Sequence, residues 1–234
     1  MHIFYTPNIS LQNHTLNEEE SKHCIRVLRL ALGDVVNLVD GVGGFYTAEI
    51  SSANPKKVGL LILDSQIDYG KRNFNLHIAI APTKNTERLE WFLEKATELG
   101  IDEITPIICQ RSERKVVKPE RLEKVITSAV KQSIKAYHPK LNEAQTFESF
   151  INSSLNANKY IAHCLSADEK NYLSKTLSKD EDCVILIGPE GDFTEEEINL
   201  ALQKGYKAVT LGNARLRTET AALAACFEIN YLNR

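Results

Sequence analysis

The sequence has no apolar run approaching the roughly 20 residues that a membrane-spanning helix needs. None of its 234 residues is therefore expected to cross a bilayer as a helix. It has no Cys-x-x-Cys pair. Its five cysteines (Cys24, Cys109, Cys164, Cys183, Cys226) stand singly, four of them within apolar runs. An odd, scattered set argues against a disulfide framework and a zinc site, and reads as reduced core thiols in a cytoplasmic protein. No basic segment followed by an apolar stretch opens the chain, so no secretory signal is expected. Gly-x-Gly-x-x-Gly and Gly-x-x-x-x-Gly-Lys-Ser/Thr are missing as well, which removes the usual dinucleotide and P-loop fingerprints. Internal repeats and low-complexity segments are also absent.

What is present is ordinary in bulk and uneven in detail. Hydrophobic residues make up 43% and charged residues 25% of the chain, as in a soluble globular protein. The net charge of −3 excludes a uniformly basic nucleic-acid binder. Between Gln110 and Lys140, however, nine Lys or Arg face three Asp or Glu, leaving the rest of the chain at −9. A basic patch on an acidic protein attracts phosphate locally and discourages indiscriminate binding. A solvated helix face explains the same charge run equally well.

Two organisations follow one another. Residues 1–70 read as one helix over 17–30, with glutamates in its first turn where the dipole favours them. Strands over 35–39, 45–50 and 58–63 follow, punctuated by Asp40-Gly-Val-Gly-Gly44 and Asn54-Pro55, as in a small β-barrel. After a polar linker over 64–73, strands over 76–81, 103–109, 159–164, 183–187 and 207–211 alternate with helices over 86–99, 119–136, 168–177, 194–204 and 218–231. That alternation predicts an α/β domain, a mostly parallel sheet flanked by helices, over 71–234. Thr194 and Glu197 have capping-box spacing at the start of the fourth helix.

Chemistry concentrates in two strand-to-helix turns, Ile187-Gly-Pro-Glu-Gly-Asp192 and Leu211-Gly-Asn-Ala-Arg-Leu-Arg-Thr-Glu-Thr-Ala221. They are expected close together at the carboxyl ends of neighbouring strands, where open α/β sheets bind ligands. Gly188 and Gly191 allow close backbone approach and Pro189 stiffens the turn. A tight βα turn alone would account for the same residues. In the second turn Arg215, Arg217, Thr218, Glu219 and Thr220 crowd polar groups against an apolar helix, and buried charge there needs a partner or a role. Trp91 and Phe92 read as core of an amphipathic helix. His77 and His163 read as structural histidines within strands, although His163 stands close enough to the loop after Cys164-Leu165 to remain a site candidate.

Taken together the two turns resemble the C-terminal signature of SPOUT-class, trefoil-knot RNA methyltransferases. More narrowly they resemble the RsmE family, which methylates N3 of uridine 1498 in 16S ribosomal RNA. The resemblance continues through His23-Cys-Ile-Arg-Val-Leu-Arg-Leu30, Gly33-Asp34 and Asp40-Gly41, similar to a PUA-like RNA-binding domain (1–70). Glu94-Lys-Ala-Thr-Glu-Leu-Gly100, Pro106, Arg111-Ser112 and Lys131-Gln-Ser133 match the family's middle motifs. Asp192 stands where the family usually has a second glycine, Ala214-Arg215 replaces the commoner Arg-Ile, and Lys135 replaces an arginine.

The resemblance implies a knotted homodimer, with the apolar C-terminal helix contributing to the interface. It implies S-adenosylmethionine held at Leu165, Ile187, Gly188, Pro189, Gly191, Leu211, Gly212, Leu216, Thr218, Thr220 and Ala221, with no metal. RNA of the 30S subunit would contact Lys22, Arg26 and Arg29, one stripe of the first helix, and His23 beside them. It would also contact Arg111, Arg114, Lys115, Lys131, Gln132 and Lys135 in the second domain. A solvated amphipathic face explains the first-helix stripe alone equally well. N3–H of uracil is a weak acid, so the site must take its proton and stabilise charge spreading onto O2 and O4. Arg217 suits the second task. Glu219 and Glu190 are the candidate proton acceptors, and either could instead orient its loop. The alternatives are a non-catalytic RNA-binding or ribosome-assembly factor on the same scaffold, and a knotted methyltransferase acting on another nucleoside.

Overall fold

The fold is described from a computed structural model covering residues 2–10, 12–164 and 171–234. The chain divides into two compact units, Met1–Lys71 with Thr127–His138, and Arg72–Ile126 with Pro139–Arg234.

The first unit is built on β1 (Ile3–Tyr5), β2 (Asn13–Thr15), β3 (Val35–Val39), β4 (Phe45–Asn54) and β5 (Lys57–Gln66), in the sheet order β1-β3-β4-β5-β2. Alternation in β4 turns Tyr46, Ala48 and Ile50 inward onto Phe4, Leu16, Val36, Leu38, Val58 and Leu60. Register shifts at Thr47/Ala48 and Ile50/Ser52 mark bulges in the long β4–β5 pair. Asp40 shapes the turn into β4: its Oδ1 accepts N–H bonds from Val42 and Gly44, each at 2.8 Å.

The helix expected over 17–30 is shorter and irregular. α1 spans Glu18–Lys22, capped by Asn17, whose side chain accepts the Glu20 N–H at 2.8 Å. A π-helical turn follows over His23–Val27, and Arg29 adopts φ +56. The wider turn and the left-handed residue end the helix. The stripe expected of Lys22, Arg26 and Arg29 therefore does not form as a regular helical face, because Arg29 lies beyond it.

In the second unit, β6 (Leu76–Ile80), β7 (Glu103–Ile108), β8 (Lys140–Leu141), β10 (Asn158–Ala162), β11 (Asn171–Tyr172), β12 (Cys183–Ile187) and β13 (Lys207–Thr210) pair in the order β11-β13-β10-β12-β6-β7-β8. β9 (Gln145–Thr146) pairs with β7. Every pairing is parallel. β6 and β12 are buried at every position, as strands covered on both faces must be. The helices are α2 (Thr86–Leu99), α3 (Pro119–Gln132), α4 (Phe147–Asn152), α5 (Leu173–Thr176), α6 (Glu195–Gln203) and α7 (Thr218–Leu232). α2 packs on α7, and the capping box opens α6 through both reciprocal bonds.

Several expectations change here. β12 and β13 are not neighbours, because β10 lies between them and pairs with both. α3 ends at Gln132, four residues early, and Ile134 takes φ +57. Of the helix expected over 168–177, the described part is the short strand β11 followed by α5. β1, β2, β8, β9 and α4 were not anticipated. Cys24, Cys109, Cys183 and Cys226 are buried thiols, whereas Cys164 is exposed. Among the described residues, no helix is long and apolar enough to cross a membrane. Nor is any group of three or more His, Cys, Asp or Glu placed to hold a metal.

Candidate active site

The carboxyl ends of β10, β12 and β13 open onto a cavity of about 810 Å³, within the size range of small-molecule sites. Its wall combines the turn after β12 (Ile187 to Asp192), the segment from Val209 to Thr218, and Ala162 to Cys164 at the end of β10. Of the expected cofactor residues, Ile187, Gly188, Pro189, Gly191, Leu211, Gly212, Leu216, Thr218 and Ala221 line this cavity. Thr220 lines an adjoining one. Leu165 lies outside the described residues. Although their strands are separated by β10, the two turns touch: Thr218 Oγ1 donates to the Gly188 carbonyl across 3.0 Å.

Local chemistry explains the shape. A Cβ on Gly188 would sit 3.1 Å from the Phe193 ring, so this glycine admits a buried aromatic behind the turn. Gly212, at φ +130, occupies backbone space that other residues rarely enter. Arg111, which also lines the cavity, braces the first turn, its Nη1 donating to the carbonyls of Gly191 (2.9 Å) and Phe193 (3.3 Å). Arg114 does the same for the chain after β6, through Nε and Nη2 to the Lys84 carbonyl. Glu190 Oε1 accepts the Lys84 N–H at 2.9 Å, joining that chain to the turn.

The second cavity, about 540 Å³, shares Arg88, Arg215, Leu216 and Arg217 with the first and adds Asn85, Glu87, Trp91, Glu219 and Thr220. Arg217 is the exposed N-cap residue of α7, and its side chain makes no capping hydrogen bond. Glu219, only 6% exposed, keeps Oε1 3.7 Å from Arg88 Nε. Its Oε2 has no hydrogen-bond partner among the described residues. The crowd of polar groups expected at this junction thus separates, with Thr218 and Glu219 buried and Arg215, Arg217 and Thr220 exposed. Trp91 corrects the reading of that residue as core. It is 43% exposed at the cavity edge, while Phe92 is fully buried. Arg88 was missed, since a lone arginine in the first turn of a helix carries no sequence signal.

Two descriptions of RNA methyltransferase domains cover most of the chain: an RNA methyltransferase domain matches residues 70–230 and an RNA methyltransferase PUA domain matches residues 16–63. The chain belongs to the RNA methyltransferase family. Among its relatives is the ribosomal RNA small subunit methyltransferase E of Rickettsia conorii, 31% identical over 88% of this chain and 84% of the relative. A crystal structure of a probable rRNA-methyltransferase from Porphyromonas gingivalis superposes with a TM-score of 0.92 at 40% identity, covering 100% of this chain and 98% of the other. The ribosomal RNA small subunit methyltransferase E of Neisseria gonorrhoeae, solved bound to S-adenosyl methionine, gives a TM-score of 0.89 at 28% identity, covering 100% and 98%.

The methyltransferase places its expected RNA-binding residues in both units. Lys22, His23, Arg26 and Arg29 are exposed in the first, Lys22 paired with Glu18 at 2.6 Å. Lys131, Gln132 and Lys135 also fall within the first unit, not the second as expected, because the segment Thr127–His138 packs there. Lys131 is held by Glu20 at 2.7 Å. Arg111, Arg114 and Lys115 lie in the second unit, where the first two are engaged by loop carbonyls. His163 is buried and lines the larger cavity. His77 Nε2 lies 2.8 Å from Thr105 Oγ1, a structural contact between β6 and β7.

Proposed function

We propose that the protein methylates N3 of a uridine in 16S ribosomal RNA of the small subunit, at the position equivalent to uridine 1498, using S-adenosylmethionine. The observation that carries this reading is the pairing of two cavities. One is lined by turn backbone and by Ile187, Val209, Leu211 and Leu216, and suits a nucleoside cofactor. The other is ringed by Arg88, Arg215 and Arg217 and edged by Trp91 and Glu219, and suits a flipped-out base. When bound, the cofactor supplies an activated methyl group on a sulfonium.

The chain's own residues do the rest. Arg217, common to both cavities, places a permanent positive charge where O2 and O4 of the uracil gain electron density. Glu219 lines the second cavity, whereas Glu190 lines the first. Glu219 would accept the N3–H proton as the methyl carbon passes from the sulfonium sulfur to N3 and leaves a neutral thioether behind. Arg88 keeps Glu219 oriented. Glu190, bonded to the Lys84 N–H, shapes the cofactor side. Exposed cations of the first unit, among them Arg26 and Arg29, hold RNA phosphates and leave base choice to the second.

The protein acts in the cytoplasm as a knotted homodimer. The reading of α7 as part of the interface is supported by Phe227 (48% exposed) and Tyr231 (56%), whose stacked rings lie 6.0 Å apart on its surface.

Primer extension on unmodified 30S subunits tests the reading. Methylation of N3 blocks the Watson–Crick edge, so incubation with protein and S-adenosylmethionine should create one strong stop in the 16S RNA. Full-length extension despite cofactor binding would contradict it.

A further inference from the structure

Asp192 closes the turn after β12 at φ +62, the left-handed region where a side-chain-bearing residue is disfavoured and glycine is the usual occupant. Its own N–H bonds the Pro189 carbonyl at 2.9 Å. The carboxylate then makes two bonds that glycine could not. Oδ1 accepts the Phe193 N–H at 2.8 Å, and Oδ2 accepts the Cys164 N–H at 2.7 Å. The second bond is the informative one. β10 and β12 are adjacent parallel strands whose last paired residues are Ala162 and Ile187. Cys164 and Asp192 lie just past that pair, where the backbone ladder has ended, and both line the larger cavity. A charged acceptor thus continues the connection between the two strands after their hydrogen bonds have stopped.

We propose that Asp192 is a positioning residue, which fixes the chain leaving β10 against the turn after β12 and so sets the shape of the cofactor cradle. The proposal rests on the reading of this cavity as the S-adenosylmethionine site. Arg111 supports the same turn through the Gly191 and Phe193 carbonyls. The turn is therefore held by a carboxylate that gathers N–H groups and a guanidinium that gathers C=O groups. Neither side chain need touch the ligand to matter.

Asp192→Gly keeps the backbone conformation accessible and deletes both side-chain bonds. Asp192→Asn keeps one acceptor oxygen where two N–H groups ask for one each. Calorimetric titration of the full chain with S-adenosylmethionine and with S-adenosylhomocysteine separates the possibilities. Expected for Asp192→Gly is a loss of about tenfold in affinity for both ligands, with Asp192→Asn intermediate. The thermal midpoint without ligand should change little, because the lost bonds are offset by release of the left-handed strain. Affinities within twofold of the unsubstituted chain in both variants would overturn the proposal. So would a loss confined to the sulfonium ligand, which would mean charge attraction in place of loop position. Failure of the unsubstituted chain to bind either ligand would overturn the cofactor reading itself, and this proposal with it.

Discussion

Thr218 Oγ1 donates a hydrogen bond to the Gly188 carbonyl at 3.0 Å, joining two turns whose strands are separated in the sheet by a third. This bond makes the two turns one surface. Thr218 is buried at the first position of α7, so the bond is shielded from water and orients the helix start toward the cavity. Thr218→Val preserves shape and removes the donor. The expected cost is about 1 kcal/mol in denaturant unfolding, with a parallel weakening of S-adenosylmethionine binding by calorimetry. Loss of stability with unchanged affinity would show that the turns need not be joined for the cofactor to bind.

The ion pair between Arg88 and Glu219 gives a second prediction. Glu219 is nearly fully buried and Arg88 is partly exposed, so removing the arginine strands a carboxylate without its cation. Arg88→Ala should destabilise the fold by roughly 1–3 kcal/mol. Glu219→Gln in the same background should recover part of that loss, a coupling that a double-mutant cycle measures directly. Glu219→Gln alone should reduce turnover if this carboxylate accepts the N3 proton. Unchanged turnover would remove it from that role.

Much of this arrangement was legible in the sequence, and the reasons are specific. β12 announces itself as the apolar run Cys183–Ile187 ending in glycine and proline, and α6 by its capping pair Thr194 and Glu197. The order of strands was not legible. Nothing local in the 158–162 segment states that it inserts between β12 and β13, because parallel neighbours are chosen by crossover and packing. The two-residue strands β8, β9 and β11 are too short to show a period of two. α4 did carry a signal, with Thr146 as cap and Phe147, Phe150 and Ile151 at helical spacing. The exposure of Trp91 depends on which face of α2 is covered by α7, and periodicity alone does not settle that.

Arginines chosen for charge turned out to have structural neighbours, which separates two kinds of variant. Arg111 binds the carbonyls of Gly191 and Phe193, whereas Lys115 is exposed. Arg111→Ala should weaken cofactor binding. Lys115→Ala should leave cofactor binding unchanged and reduce the salt dependence of RNA binding, the slope of log affinity against log salt falling by about one unit. Identical behaviour of the two variants would contradict this division.

Thiol chemistry offers an independent check on the cavity. Burial pushes the Cys183 and Cys226 thiols up to about 12 and raises those of Cys24 and Cys109, so at pH 8 these four stay protonated and unreactive. Cys164 is exposed and lines the larger cavity. Alkylation followed by peptide mass spectrometry should label Cys164 alone, and saturating S-adenosylmethionine should slow that labelling. Labelling that ignores the cofactor would argue that it binds elsewhere.

The most direct test of the central claim is nucleoside mass spectrometry of 16S RNA. The RNA would come from unmodified 30S subunits treated with the protein and S-adenosylmethionine carrying a labelled methyl group. The account predicts labelled 3-methyluridine at one site, with Arg217→Ala lowering the rate by about 100-fold or more while the cofactor still binds. A label in any other nucleoside, or none with the cofactor demonstrably bound, would contradict it.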